Sequence, residues 1–495
     1  MFYKSTRNSN LNVSGAQAVL KGISDDGGLF VPSEIPAISL DDISGLAKLD
    51  YCDRAKFIIS KYFTDYTEEE IEFCTKNAYS TKNFDTDNIH ELTQLGDNMY
   101  LLELWHGPTC AFKDMALQIL PYFLTTAAKK CNFDKELVIL VATSGDTGKA
   151  ALTGFCDVDG TKILVFYPED GVSAMQKKQM TTQDGKNVGV CAIKGNFDDC
   201  QNGVKKIFTD DSIKAHIDSN NAAFSSANSI NFGRLLPQIV YYISSYATLV
   251  DTQQINLGDK INIVVPTGNF GNILAAYYAK NMGLPVNKLI CASNANNVLT
   301  DFINTGVYDR NREFFTTISP SMDILISSNL ERLLYMLCDD NDEIIKDWFS
   351  KLSSCGKYEI SDDVKAKLQN DFVAGYCDDN ATKSTIADIF NEFSYVADTH
   401  TSVAIKVYQD YVKNTGDTTK TVIASTASPY KFCSSVLDAL SVDTAAMSDW
   451  DMLEKLSEIS STEIPAPLAE LKSKEVRFTD SIGRDDMSDY VKSFI

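Results

Sequence analysis

Two observations predict an α/β fold in which parallel sheets are covered by helices on both faces. From about residue 98 to residue 440, short apolar runs alternate with segments of helical spacing. The clearest of these runs lead into turn clusters of Gly, Ser, Thr, Asn or Pro, from which the next helix starts. Strands and helices in alternation need crossover connections, and these place helices on both sides of a parallel sheet. Ligands in such sheets bind beyond the carboxyl ends of the strands. The turn clusters are therefore where chemistry is expected.

The elements follow in chain order. Residues 1–97 read as a mixed N-terminal segment. Within it, Gly22 to Pro32 is a turn cluster entering a strand or sheet edge, and Asp53 to Asn77 has the spacing of a pair of surface helices. Residues 98–440 carry the alternating pattern, with a smaller subdomain expected around 140–235. Met99–Trp105 is a strand and His106–Phe112 a loop. Met115, Ile119 and Phe123 then recur at helical spacing, with Pro121 expected to kink that helix. Leu137–Ala142 is a strand, Thr143–Gly148 a loop, and a helix runs from Lys149. Lys162–Tyr167 is a further strand. Ile261–Val265, Pro266–Gly271 and Asn272–Tyr278 repeat strand, loop and helix. Leu289–Ser293 and Thr421–Ala424 are strands, the second leading into Ser425 to Pro429. Residues 441–495 are acidic and helix-like, an extension expected to pack on the outside.

Bulk composition narrows the class. The chain has 495 residues, 44% of them hydrophobic, enough for two to four folding units. Its formal charge of −22 and the lack of a Lys/Arg stripe argue against nucleic acid. Twelve cysteines without a CxxC pair suggest a reducing compartment, and four histidines make a His-rich metal site improbable, so no metal is expected. There is no signal-peptide pattern and no run of about 18 apolar residues. A cytoplasmic protein without membrane association is expected.

Three loops could carry chemistry. In Pro266-Thr-Gly-Asn-Phe-Gly-Asn272 the glycines let several amides converge, and the following helix adds free N–H groups and its positive dipole end. This is a phosphate cradle without a lysine; the alternative is an ordinary strand-to-helix turn. Thr143-Ser-Gly-Asp-Thr-Gly-Lys149 looks like a nucleotide P-loop but fails its spacing. Thr143 stands where the first Gly belongs and Ala150 follows Lys149. ATP binding is rejected, and a second anion site at a helix start, with the Ser144 and Thr147 hydroxyls, remains. Lys113 lies at a loop-to-helix junction in an otherwise apolar segment. Burial there would favour the neutral amine that Schiff-base chemistry needs; the alternative is a solvated surface lysine. Ser425 to Ser428 ends a late strand, where a hydroxyl could meet a ligand or simply cap the next helix.

Taken together these segments resemble the threonine synthase family. His106-Gly-Pro-Thr-Cys-Ala-Phe-Lys-Asp114 is similar to the family's cofactor-lysine motif. Thr143–Gly148, Asn228–Arg234 with Gln238, and Pro266–Asn272 are similar to further motifs in the same order, and Gly22–Pro32 to the N-terminal signature. The likeness spans residues 1 to about 440 and is closest to the longer, bacterial and fungal type. It implies a fold-type-II pyridoxal 5'-phosphate enzyme, with two open, mostly parallel sheets flanked by helices and the cofactor between them. Lys113 would carry the cofactor as a Schiff base and serve as the catalytic base. Gly268, Asn269, Phe270, Gly271 and Asn272 would hold its phosphate, and Thr426 its pyridine nitrogen. The implied reaction converts O-phospho-L-homoserine and water to L-threonine and phosphate, a lyase step closing threonine biosynthesis. Ser144, Asp146, Thr147, Lys149, Asn228 and Arg234 are candidates for the substrate, Asp146 more as an orienting group than as a phosphate ligand. The chain would act as a monomer or homodimer. Two departures bear on substrate positioning: Ser428 stands where the family has His, and Thr399 where it commonly has Pro. Competing readings are a related phospholyase that releases phosphate, ammonia and a keto acid, and a non-catalytic binding protein of the same fold.

Overall fold

The computed structural model describes residues 1–143, 145–170 and 172–495, with Asp198 described by its backbone alone. Two parallel sheets organise the chain. The larger has six strands in the order Phe372–Tyr376, Val286–Ser293, Ile261–Pro266, Thr421–Ser425, Met99–Glu103 and Glu91–Leu95. All are parallel except Glu91–Leu95, which pairs antiparallel at one edge. The smaller has five parallel strands in the order Ser481–Gly483, Val188–Lys194, Thr161–Pro168, Glu136–Ala142 and Ala222–Ser225. The central strands Ile261–Pro266 and Thr421–Ser425 are buried at every position, because helices cover both faces. The helix Phe232–Asp251 is also buried along most of its length and packs against the helix Gly271–Met282.

The strands lie where the sequence predicts them. Tyr51–Tyr62 and Glu68–Ala78 are the expected N-terminal helix pair, though each also buries an apolar face. Four local expectations are corrected. Pro121 does not kink one helix. The chain forms a short helix, Asp114–Leu117, and then a second, Leu120–Lys130, with the proline in its first turn, where no amide is needed. The helix placed from Lys149 starts at Asp146. The division after residue 97 is crossed, since Glu91–Leu95 belongs to the large sheet. The tail 441–495 is not only helical: Ser481–Gly483 pairs in parallel with Val188–Lys194 and extends the small sheet. A three-residue strand leaves no periodicity to read, so its backbone pairing is decided by docking alone. Among the described residues no helix is long and apolar enough to cross a membrane.

Candidate active site

The loops after Met99–Glu103 and Thr421–Ser425 reach Asp146, at the helix start after Glu136–Ala142 of the other sheet, and the loop after Ile261–Pro266 packs on Ser321, which touches Lys113. Backbone pairing fixes the first of them. The Phe112 amide donates to the Thr426 carbonyl at 2.8 Å, Ala111 bridges Ala427, and the Ser428 amide donates to the Cys110 carbonyl at 3.1 Å. Asp114 is buried and accepts from the amide and hydroxyl of Thr109 at 2.8 and 2.7 Å. Burial pushes its carboxyl up to about 6, with the Thr109 bonds opposing. Lys113 is thus presented on a tied loop. Its ammonium donates to the Ser321 hydroxyl at 3.2 Å and lies 3.7 Å from an Asp146 oxygen. Burial lowers its proton affinity; Asp146 opposes that, and Lys431 and Arg234 reinforce it. Burial thus favours the neutral amine at this position.

The glycine-rich loop has the features of an anion cradle. Phe270 is left-handed, with φ of 64°, and it directly precedes the helix Gly271–Met282, which has no side-chain cap. Its ring is buried beside Phe372, and this packing offsets the strained backbone. A side chain at Gly268 would meet the Ser321 carbonyl oxygen at 2.6 Å, so that position must stay bare. The Gly268 and Asn269 carbonyls are taken by the Ser327 hydroxyl and by Asn329. Among the described residues nothing accepts from the amides of Gly268, Asn269 or Phe270. The Asn272 side-chain oxygen Oδ1 accepts from the Tyr241 hydroxyl at 2.8 Å and from that of Tyr242, and its buried Nδ2 has no partner among the described residues. Unpaired buried donors cost free energy unless an acceptor arrives. The residues expected to hold a cofactor phosphate fit that group.

The substrate candidates divide. Arg234, in the first turn of Phe232–Asp251, is buried; it donates to the Ala227 carbonyl at 2.6 Å, and its Nε has no partner among the described residues. Burial lowers it to about 10. A buried cation without a carboxylate suits an anionic ligand. Asp146 binds cations rather than anions. One oxygen accepts from Lys431 at 2.7 Å and from the Gln176 amide at 2.9 Å, and the other faces Lys113. The orienting role expected of it matches this geometry. Lys149 is not part of that cluster: its ammonium donates to Gln183, and burial lowers it to about 8. Thr147 and Asn228 are half-buried. Ser144 lies outside the described residues.

Sequence reasoning missed three groups. Ser321 touches Lys113, and its amide donates to His400 Nε2 at 3.2 Å; His400 Nδ1 in turn faces Asp398 at 2.9 Å. Lys431 is fully buried against Asp146. The third is Thr143, whose hydroxyl accepts from the amides of Gly145 and Gly148 at 3.0 and 2.9 Å and so occupies part of the helix start expected to bind an anion. The pattern Asp398-Thr-His-Thr401 was a signal for His400; nothing local marked Ser321 or Lys431.

The family model for the threonine synthase N terminus matches residues 2–79, that for pyridoxal-phosphate dependent enzymes residues 84–348, and that for the threonine synthase C-terminal region residues 401–495. The chain is 36% identical to threonine synthase of Saccharomyces cerevisiae, covering 92% of this chain and 93% of that one. It is 34% identical to the Pseudomonas aeruginosa threonine synthase, covering 97% and 95%. Human threonine synthase-like 1 is 41% identical over 438 residues, and the matched region spans 58% of that protein's length. The solved structure of the pyridoxal-phosphate-bound threonine synthase from Brucella melitensis superposes with a TM-score of 0.89 at 32% identity, over 100% of this chain and 99% of that one. On these matches and this geometry, the chain belongs to the threonine synthase family of pyridoxal-phosphate-dependent enzymes.

Proposed function

We propose that this chain converts O-phospho-L-homoserine and water to L-threonine and phosphate. The observation that carries the reading is the placement of Lys113 between an uncharged donor-rich loop and a second, separate cation, Arg234. Two phosphates then have two different receptors. Gly268–Asn272 would hold the cofactor phosphate, Lys113 would bond the cofactor, and Thr426 would meet its ring nitrogen. Bound there, pyridoxal phosphate supplies an electron sink for charge developing at the substrate α-carbon. Lys113 would take the α-proton and then a β-proton, and would return protons at the γ- and α-carbons. Arg234 receives the substrate phosphate and stabilises it as it leaves from the γ-carbon; water adds at the β-carbon. Burial of Lys113 favours its neutral, proton-accepting form. All twelve cysteines are free, which supports a reducing, cytoplasmic setting.

The test is to record the visible spectrum of the purified chain, add O-phospho-L-homoserine, and assay threonine and phosphate together. Equal amounts of both products support the proposal. Phosphate with ammonia and a keto acid, without threonine, moves the chain to the phospholyase reading. A chain that binds no cofactor and stays inactive after its addition overturns both and favours the non-catalytic one.

A further inference from the structure

Two buried lysines converge on Asp146, and they do so unequally. Lys431 takes one carboxylate oxygen at 2.7 Å, while Lys113 stands 3.7 Å from the other. Lys431 follows the strand Thr421–Ser425 of the large sheet, and Asp146 opens a helix behind the small one, so the ion pair spans the cleft. Lys431 also donates to the Thr109 carbonyl at 2.8 Å, and Thr109 is the residue whose amide and hydroxyl hold Asp114, next to Lys113. One ammonium thus ties the cofactor-lysine loop to the small sheet. Gln176 fills the remaining approach to the Asp146 oxygen at 2.9 Å.

A lysine that must lose its proton to react is poorly served by a short ion pair with a carboxylate, because that pair stabilises the ammonium. We propose that Lys431 is a positioning residue that takes the short ion pair with Asp146, so that Lys113 keeps only the longer contact to that carboxylate and sheds its proton more easily. This rests on Lys113 being the cofactor lysine. The charged groups facing Lys113 are Asp146 from the small-sheet helix, Lys431 from the late loop and Arg234 from the long helix; the adjoining Asp114 is bound up by Thr109. Ser321 is the remaining contact, and behind it His400 Nε2 acts as an acceptor. Burial of Lys113 lowers its proton affinity in the same direction as Lys431 does.

The test reads Lys113 directly. The full-length chain, freed of cofactor by dialysis, is acetylated over a pH series with acetic anhydride, and the modified Lys113 peptide is quantified by mass spectrometry. Lys431→Met, which releases Asp146 to pair with Lys113, raises the labelling midpoint by about one to two pH units, the size of effect an opposite charge at this range exerts. Lys431→Arg keeps the midpoint near wild type, and Asp146→Asn lowers it. The pH dependence of pyridoxal-phosphate uptake moves in parallel. A folded Lys431→Met chain with the wild-type midpoint overturns the proposal. Should that variant not fold, Asp146→Asn decides: a lowered midpoint supports the proposal and an unmoved one overturns it. A Lys113→Ala chain that still binds the cofactor with the wild-type spectrum would instead overturn the underlying assignment, whatever Lys431 does.

Discussion

Two loops with the same plan, strand, glycine-containing turn and helix, lie at strand ends of the two sheets, and they have opposite electrostatic character. In Thr267–Phe270 the amides of Gly268, Asn269 and Phe270 are left without acceptors among the described residues, and the neighbouring Asn272 adds another donor without a partner there. In the turn after Ala142, the Thr143 hydroxyl takes the Gly145 and Gly148 amides, and Asp146 sits in the first helical turn. A carboxylate there satisfies the helix dipole from within the chain. The first loop therefore has donors to offer an anion, and the second gathers cations, Lys431 at 2.7 Å and Lys113 at 3.7 Å. A glycine-rich turn at a strand end does not by itself make a phosphate site. What decides is whether the chain has already spent the donors.

The largest effect that would test this contrast is at Lys113, which contacts Asp146 and Ser321. Lys113→Ala is expected to lower turnover by about a thousandfold or more, since it removes base and cofactor anchor together. Its purified form should lack the visible absorption of the bound cofactor. Arg234→Gln should raise KM for the phosphorylated substrate about thirtyfold, the effect of losing roughly 2 kcal/mol of charge-assisted bonding. Thermal unfolding should show no loss of stability, because a buried charge without a carboxylate is removed; an unchanged KM would mean the substrate phosphate lies elsewhere.

The next pair sharpens the comparison directly. Asn272→Ala should weaken cofactor affinity about tenfold, corresponding to one lost hydrogen bond of about 1.4 kcal/mol. Thr143→Val should cost about 1 kcal/mol of stability, by orphaning two amides, and leave cofactor affinity unchanged. Equilibrium binding and denaturant unfolding of both variants would show whether the two loops really divide the work; equal losses of affinity would erase the distinction.

A last effect, read on stability and not on binding or turnover, concerns the frame of the lysine loop. His106 is raised to about 9: burial lowers it, but its bonds to Asp85 at 2.7 Å and Glu103 at 3.1 Å outweigh that. A group with a raised folded pKa contributes stability that is fully present below the unfolded value, near 6.5, and is lost as pH rises through about 9. That contribution, on the order of 1–2 kcal/mol for a partly exposed group, should appear as a fall in unfolding free energy between those pH values that His106→Asn lacks.

The sequence by itself determined the strand-loop-helix rotation, and with it which turns would sit at strand ends. Lys113, the run Gly268 to Asn272 and Thr426 come from segments whose local pattern marks them, because glycine, apolar runs and helix starts impose their geometry over a few residues; Arg234 is marked by the family resemblance alone. The tertiary structure alone decided which groups share the lysine's surroundings. Ser321 reaches Lys113 across 208 positions of chain, and Lys431 reaches Asp146 from a turn that reads as an ordinary helix entry. It also decided that Lys149 would turn to Gln183 and that Ser481–Gly483 would complete the small sheet. Such partners are set by how two sheets dock, and no short-range propensity records it: electrostatic and hydrogen-bonding partners depend on distance in space, whereas a sequence displays only distance along the chain.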